Sequence, residues 1–140
     1  MKIREIMSTD VKQIDSSATI RETAERMKKF DIGCLPVKEN NKIVGIITDR
    51  DIVIRAVVQG EDPNNATITS FYTPEVFCCS QDDELADAVK LMEDAQIRRL
   101  VVLDQDNQAV GVISAGDVAL RSNEEHLTWQ VMEKVCERTH

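Results

Sequence analysis

The sequence predicts an α+β fold built from two copies of one β-α-β-β-α unit. Three observations predict it: the chain repeats itself, each copy holds two short β-branched runs joined by turn residues, and each pair of runs is flanked by helical patterns. Met27-Lys28-Lys29-Phe30-Asp31-Ile32-Gly33-Cys34-Leu35-Pro36-Val37 lies over Met92-Glu93-Asp94-Ala95-Gln96-Ile97-Arg98-Arg99-Leu100-Val101-Val102, 65 residues on. An insertion near Asn107 raises the offset to 66, after which Val44-Gly45-Ile46-Ile47-Thr48 matches Val110-Gly111-Val112-Ile113-Ser114, and Asp51 matches Asp117.

Each copy opens on an extended segment, residues 11–14 and 76–78. In the first, Thr19-Ile20-Arg21-Glu22 is a capping box that starts a helix with Ile20, Ala24 and Met27 on its core face. The second copy starts its helix around Asp83 and repeats the stripe as Leu85, Val89 and Met92. Residues 35–38 and 43–48, then 100–103 and 109–114, are hairpin strands, with Asn40-Asn41 and Asp106-Asn107 supplying the turns. A second helix follows Thr48 and Ser114. In the first copy it runs through Ile52, Ala56 and Val57 to Gly60, and Glu61-Asp62-Pro63-Asn64-Asn65 is the linker.

Beyond the repeats, Ser122-Asn123-Glu124-Glu125 can cap a last helix in which Leu127, Val131 and Val135 form one stripe with Met132 beside it. This tail is expected to cover the chain's own core; an amphipathic helix in that place also suits a second subunit or an effector protein. His126 and His140 are given no role. The chain thus divides into a first repeat with linker (residues 1–65), a second repeat (66–121) and a helical extension (122–140). A copy of about 60 residues buries too little to stand alone. The two are therefore expected to pack sheet to sheet about a pseudo-twofold axis, creating two related clefts.

The charged fraction of 30% and hydrophobic fraction of 42% are those of a globular protein. A net charge of −8 repels polyanions, which argues against nucleic acid as a partner. No apolar run reaches the roughly 20 residues that cross a bilayer. Met1-Lys2-Ile3-Arg4-Glu5-Ile6-Met7 mixes charge into its apolar residues, unlike a secretory signal, so a cytoplasmic location is expected. Cys34, Cys78, Cys79 and Cys136 show no Cys-x-x-Cys spacing, and read as buried free thiols and not as metal ligands. There are no clustered acids for magnesium, no histidine base beside a nucleophile and no Gly-x-x-x-x-Gly-Lys loop, so an enzyme is not expected.

The chemistry concentrates in Gly45-Ile46-Ile47-Thr48-Asp49-Arg50-Asp51, echoed as Gly111-Val112-Ile113-Ser114-Ala115-Gly116-Asp117. A hydroxyl three residues before a carboxylate, at a strand-to-helix junction, caps the helix. Built twice after the same Gly and apolar pair, it also gathers backbone N–H groups, a hydroxyl and a carboxylate at one mouth. The N–H groups favour phosphate, and the carboxylate can accept from ribose hydroxyls. The pattern is that of a nucleoside site.

On the repeat, the two Leu-x-Val strands and both Gly-x-x-Thr/Ser-x-x-Asp segments, the chain resembles a tandem pair of cystathionine-β-synthase (CBS) domains, or Bateman module, of the stand-alone prokaryotic type. The likeness runs from about Ile3 to Leu120. It implies homodimers that bind AMP, ADP, ATP or S-adenosylmethionine between the copies and regulate a partner protein. By resemblance, Thr48 and Asp51 contact one ribose-phosphate and Ser114 and Asp117 the other, with Val11 and Val76 flanking the adenines and Ile47 and Arg50 lining the first site. Arg98-Arg99 stands where family members carry a basic pair that reaches phosphate across the cleft. The first copy offers Gly33-Cys34 instead, so the two clefts are expected to be unequal. The reading is therefore an adenine-nucleotide sensor acting on a partner protein, and its alternative is a ligand-independent dimerisation or scaffold module.

Overall fold

The structure is a computed structural model that describes residues 1–136; His140 and the end of the 122–140 extension lie outside the described residues. It is an α+β fold with two three-stranded sheets. By packing, the chain forms two compact units, one of Lys12–Val76 and the other of Met1–Val11 together with the chain from Phe77 onward.

In the first unit, strand β1 (Ile14–Asp15) pairs parallel with β2 (Cys34–Glu39), which pairs antiparallel with β3 (Lys42–Thr48). Asn40 and Asn41 both take left-handed backbone, φ 52° and 63°, as a two-residue hairpin turn requires. Helix α1 (Ile20–Phe30) starts where Thr19 accepts from the Glu22 N–H at 3.0 Å, one half of the expected box. Its core face differs from the expected stripe. Ile20 and Met27 are buried, but Thr23 is buried in place of Ala24, which is exposed; the Thr23 hydroxyl is satisfied by donating to the Thr19 carbonyl. Helix α2 (Asp49–Asp51) continues as a wider π-type turn over Ile52–Val57, which turns Ala56 into the core and leaves Val53, Ile54, Val57 and Val58 exposed.

The second unit repeats the plan with β4 (Cys78–Ser80), α3 (Leu85–Ala95), β5 (Arg99–Leu103), β6 (Ala109–Ser114) and α4 (Ala115–Arg121). Helix α3 begins at Leu85 with Glu84 at its N-cap, and just ahead of it the Asp83 carboxylate accepts from the Ser80 N–H. Leu85, Val89 and Met92 are fully buried as expected. Helix α5 (Glu125–Gln130), prolonged by a π-type turn over Val131–Cys136, lays Leu127, Val131 and Val135 into this core. No helix of the described residues is long and apolar enough to cross a membrane.

Each hairpin also carries a segment that precedes the other repeat in sequence. In the second unit the turn Ile3–Glu5 leads to a bridge between Ser8 and Val112; in the first, the turn Ile68–Ser70 leads to one between Thr73 and Ile46. Ile3, Ile6, Ile68 and Phe71 are buried by this arrangement. The packing therefore departs from a linear division at residue 65, since residues 1–11 join the second repeat.

Candidate functional site

Both strand-to-helix junctions close by the same reciprocal pair of hydrogen bonds. Thr48 Oγ1 accepts from the Asp51 N–H at 3.1 Å, while Asp51 Oδ2 accepts from the Thr48 N–H at 2.9 Å. In the second unit Ser114 Oγ accepts from the Asp117 N–H at 3.0 Å, and Asp117 Oδ2 from the Ser114 N–H at 2.9 Å. The hydroxyl and carboxylate thus satisfy two N–H groups that the helix start would otherwise strand.

One oxygen of each carboxylate remains outside the cap, and an arginine one turn on attends it. Asp51 Oδ1 lies 3.7 Å from Arg55 Nε, and Asp117 Oδ1 lies 3.9 Å from Arg121 Nε. The same guanidiniums donate to carbonyls of the lead-in segments, Arg55 to Phe71 and Arg121 to Ile6, each at 3.4 Å. Sequence reasoning missed both arginines, although each stands four residues after its aspartate at the repeat offset. A polar chain from hydroxyl to carboxylate to guanidinium to carbonyl is therefore built twice.

The two junctions differ in charge where the middle strand begins. The Asp49 N–H donates to the Gly33 carbonyl at 2.9 Å, and the Ala115 N–H to the Arg98 carbonyl at 2.9 Å. A Cβ on Gly33 would lie 2.7 Å from Asp49 Oδ2, so the first unit presents a carboxylate over a glycine where the second presents an arginine beside an alanine. One residue on, Cys34 is in register with Thr48, whereas Arg99 is in register with Ser114. Arg98 precedes the strand, and its guanidinium donates to the Cys136 carbonyl at 3.5 Å.

The remaining expected site residues divide by exposure. Arg50 is exposed on the first turn of α2. The Ile47 side chain is fully buried in the first core, which leaves only its main chain for a ligand. Val11 and Val76 are half-buried and lie ahead of the opening strands, because parallel pairing with the middle strand starts only at Ile14 and Cys78. Burial pushes the Cys78 thiol up, and burial with Asp83 and Cys78 nearby pushes Cys79 up to about 12, away from thiolate chemistry.

The CBS domain model matches residues 3–57 and 68–124 of this chain. The chain is 36% identical over 124 residues to the CBS domain-containing protein YhcV of Bacillus subtilis, covering 87% of each protein. It is 31% identical over 134 residues to Hypoxic response protein 1 of Mycobacterium tuberculosis, covering 95% of this chain and 92% of that protein. The crystal structure of Hypoxic Response Protein I with two coordinated zinc ions superposes with a TM-score of 0.76 at 30% identity, over 86% of this chain and 98% of that one. Among the described residues of this chain no three His, Cys, Asp or Glu side chains gather to hold a metal. The CBS domain pair of protein MJ0100, in complex with 5′-methylthioadenosine and S-adenosyl-L-methionine, superposes with a TM-score of 0.73 at 28% identity, over 85% of this chain and 93% of that one. With the family model spanning both repeats and such relatives sharing nearly their whole length with it, this chain belongs to the CBS domain family as a tandem pair.

Proposed function

We propose that this CBS pair is a cytoplasmic regulatory module that binds an adenine nucleotide (AMP, ADP or ATP, with S-adenosylmethionine as the thioether counterpart), assembles as a homodimer and signals to a partner protein. The observation that carries the reading is the doubled junction, in which each aspartate keeps one oxygen outside the cap, where a ribose hydroxyl can donate to it. The adenosine ligands of the MJ0100 pair support the ligand class. Arg98-Arg99 and Arg50 supply cations for phosphate in a chain of net charge −8, where an anion needs local help.

The test is a thermal-shift screen of AMP, ADP, ATP, S-adenosylmethionine, methylthioadenosine and adenosine, followed by calorimetry of any that bind. A ligand at 100 times its Kd stabilises the fold by about 2.7 kcal/mol. Asp51→Ala or Asp117→Ala is expected to weaken binding at its own site at least tenfold, about 1.4 kcal/mol. Arg99→Ala is expected to weaken ATP more than adenosine. The second reading, a ligand-independent scaffold, draws on the fact that both carboxylates already serve as caps and ion-pair partners. It predicts that no adenine compound shifts the melting temperature and that Asp51→Ala costs only the cap, about 1 kcal/mol.

A further inference from the structure

Helices α1 and α3 hold the same place in the two repeats, yet their last turns carry opposite charge. At the repeat offset Arg26 matches Leu91, Lys28 matches Glu93, Lys29 matches Asp94 and Phe30 matches Ala95, while Lys12 ahead of β1 matches Phe77. A helix favours cations at its carboxyl end. But α3 closes with the same left-handed residue, Gln96 at φ 55° against Asp31 at φ 52°, and has no basic side chain in its last turn. The helix end therefore does not require the cations.

Those of the first repeat gather about one ring. Lys12 Nζ lies 4.2 Å, Lys29 Nζ 5.3 Å and the Arg26 guanidinium carbon 5.6 Å from the centre of Phe30. Each contact is favourable, but positive charges so close repel one another. Among the described residues Arg26, Lys28 and Lys29 make no ion pair, and Arg26 Nε is buried without a hydrogen-bond partner. Beside these three stand Glu25, paired with Arg21 at 2.8 Å, and Asp31 just past the helix, so the turn is net positive in a chain of net charge −8. Successive helix positions point about 100° apart. Lys28 and Lys29 thus cannot close on one small anion, and suit carboxylates spread along a second element.

The second repeat shows what such a face holds. The C-terminal helix lies along α3, where Gln130 Nε2 donates to Glu93 Oε2 at 2.7 Å and Gln96 Nε2 to the Lys134 carbonyl at 3.0 Å, with Val131 and Val135 buried alongside. The matching face of α1 is exposed, with Ala24 in the place of Val89 and Lys28 in the place of Glu93. The seat that one repeat fills with a helix of its own is open in the other, and its charge is reversed.

We propose that this face of α1 is the docking surface for the partner protein, which presents an acidic amphipathic helix. Its carboxylates meet Arg26, Lys28 and Lys29, and its apolar side covers Ala24 and Phe30. The proposal rests on the reading above that a partner protein exists, and supplies that partner's chemistry. It is tested by fluorescence anisotropy of a labelled glutamate-leucine amphipathic peptide titrated with the full chain at physiological salt. A lysine-leucine peptide of the same pattern and a single-stranded oligonucleotide are the counter-probes. The acidic peptide is expected to bind and the other two are not. Lys28→Glu with Lys29→Asp, which are the second repeat's own residues, should weaken the acidic peptide at least tenfold, with circular dichroism unchanged. Lys28→Ala alone should weaken it about threefold. Lys42→Glu with Lys90→Glu, the same change of net charge placed elsewhere, should leave it within about twofold, because screening confines the effect. No binding of the acidic peptide to the wild-type chain would overturn the surface, as would equal binding by the Lys28/Lys29 variant or tighter binding of either counter-probe. The nucleotide thermal shift reads the ligand site separately, so its absence would overturn the sensor reading and leave this surface standing.

Discussion

At Gly45 an added Cβ would lie 2.3 Å from a ring carbon of Tyr72 and 2.4 Å from the Thr73 carbonyl oxygen; at Gly111 it would meet Met7 Sδ at 2.7 Å and the Ser8 carbonyl oxygen at 2.8 Å. The glycine that opens each Gly-x-x-Thr/Ser-x-x-Asp segment is thus required by the lead-in strand that bridges its neighbour, and not by the junction itself. At Gly33 the obstacle is only the free end of the Asp49 side chain, which can swing away. Gly45→Ala is therefore expected to cost about 1–3 kcal/mol, the range for overpacking, and Gly33→Ala less than about 0.5 kcal/mol, both read by urea denaturation. Equal losses at the two positions would show that the bridging strand is not what demands the glycine. The motif was legible in the sequence because it occurs twice. Its cause was not, since Tyr72 and Thr73 are distant in sequence from Gly45, and the guanidiniums of Arg55 and Arg121 acquire their meaning only through carbonyls in the lead-in segments.

Among elements, the turn Ile3–Glu5 is held to the start of α3 by a clamp that pH can open. Lys2 Nζ lies 2.7 Å from Glu84 Oε1, and the Ile3 and Arg4 amides donate to the Asp83 and Gln81 carbonyls. Hydrogen bonding and charge from Lys2 and the terminal amine hold the Glu84 carboxyl below the usual carboxylate range, and Glu84 in turn raises Lys2. A lowered carboxylate contributes above its unfolded value and ceases to as pH falls through the folded one. The raised lysine contributes below its unfolded value and ceases to as pH rises through its folded one. Protection of the Ile3 and Arg4 amides against hydrogen exchange is therefore expected to be flat near neutrality and to fall below about pH 4. Glu84→Gln should abolish that acid-side fall; a fall that persists would locate the sensitivity elsewhere. Hairpins and long helices were readable from β-branched runs, asparagine turns and stripes, whereas β1 and β4 are so short that pairing, not composition, sets where they begin. The stripe of α1 misled at Ala24, which is exposed, while the matching Val89 of α3 lies in the core that the C-terminal helix helps to build.

Over the whole molecule, the exchange of lead-in segments makes the second core depend on residues far away in sequence, while the first core is built from one continuous stretch, Lys12–Val76. Ile3 and Ile6 are 0% and 5% exposed within the second core. Deleting residues 1–11 removes both, at about 1.5–3 kcal/mol each, and is expected to lower the stability of the second unit by about 3–6 kcal/mol. Chemical denaturation followed by amide NMR should register the loss at Leu100 and Ile113 before Leu35 and Ile47, and a uniform loss would contradict the exchange. Local periodicity, which reads neighbours in sequence, placed residues 1–11 with the first repeat and had no means of seeing this. The exchange also sets an order of events on the ribosome. The chain emerges from its amino terminus, so the segment bearing Ile3 and Ile6 is made first and needs Val112 before its bridge can form. At about 5–20 residues per second that is a wait of roughly 5–20 seconds, during which Lys12–Val76 already holds everything its own core requires. A segment synthesised ahead of both hairpins is among the last to find its place.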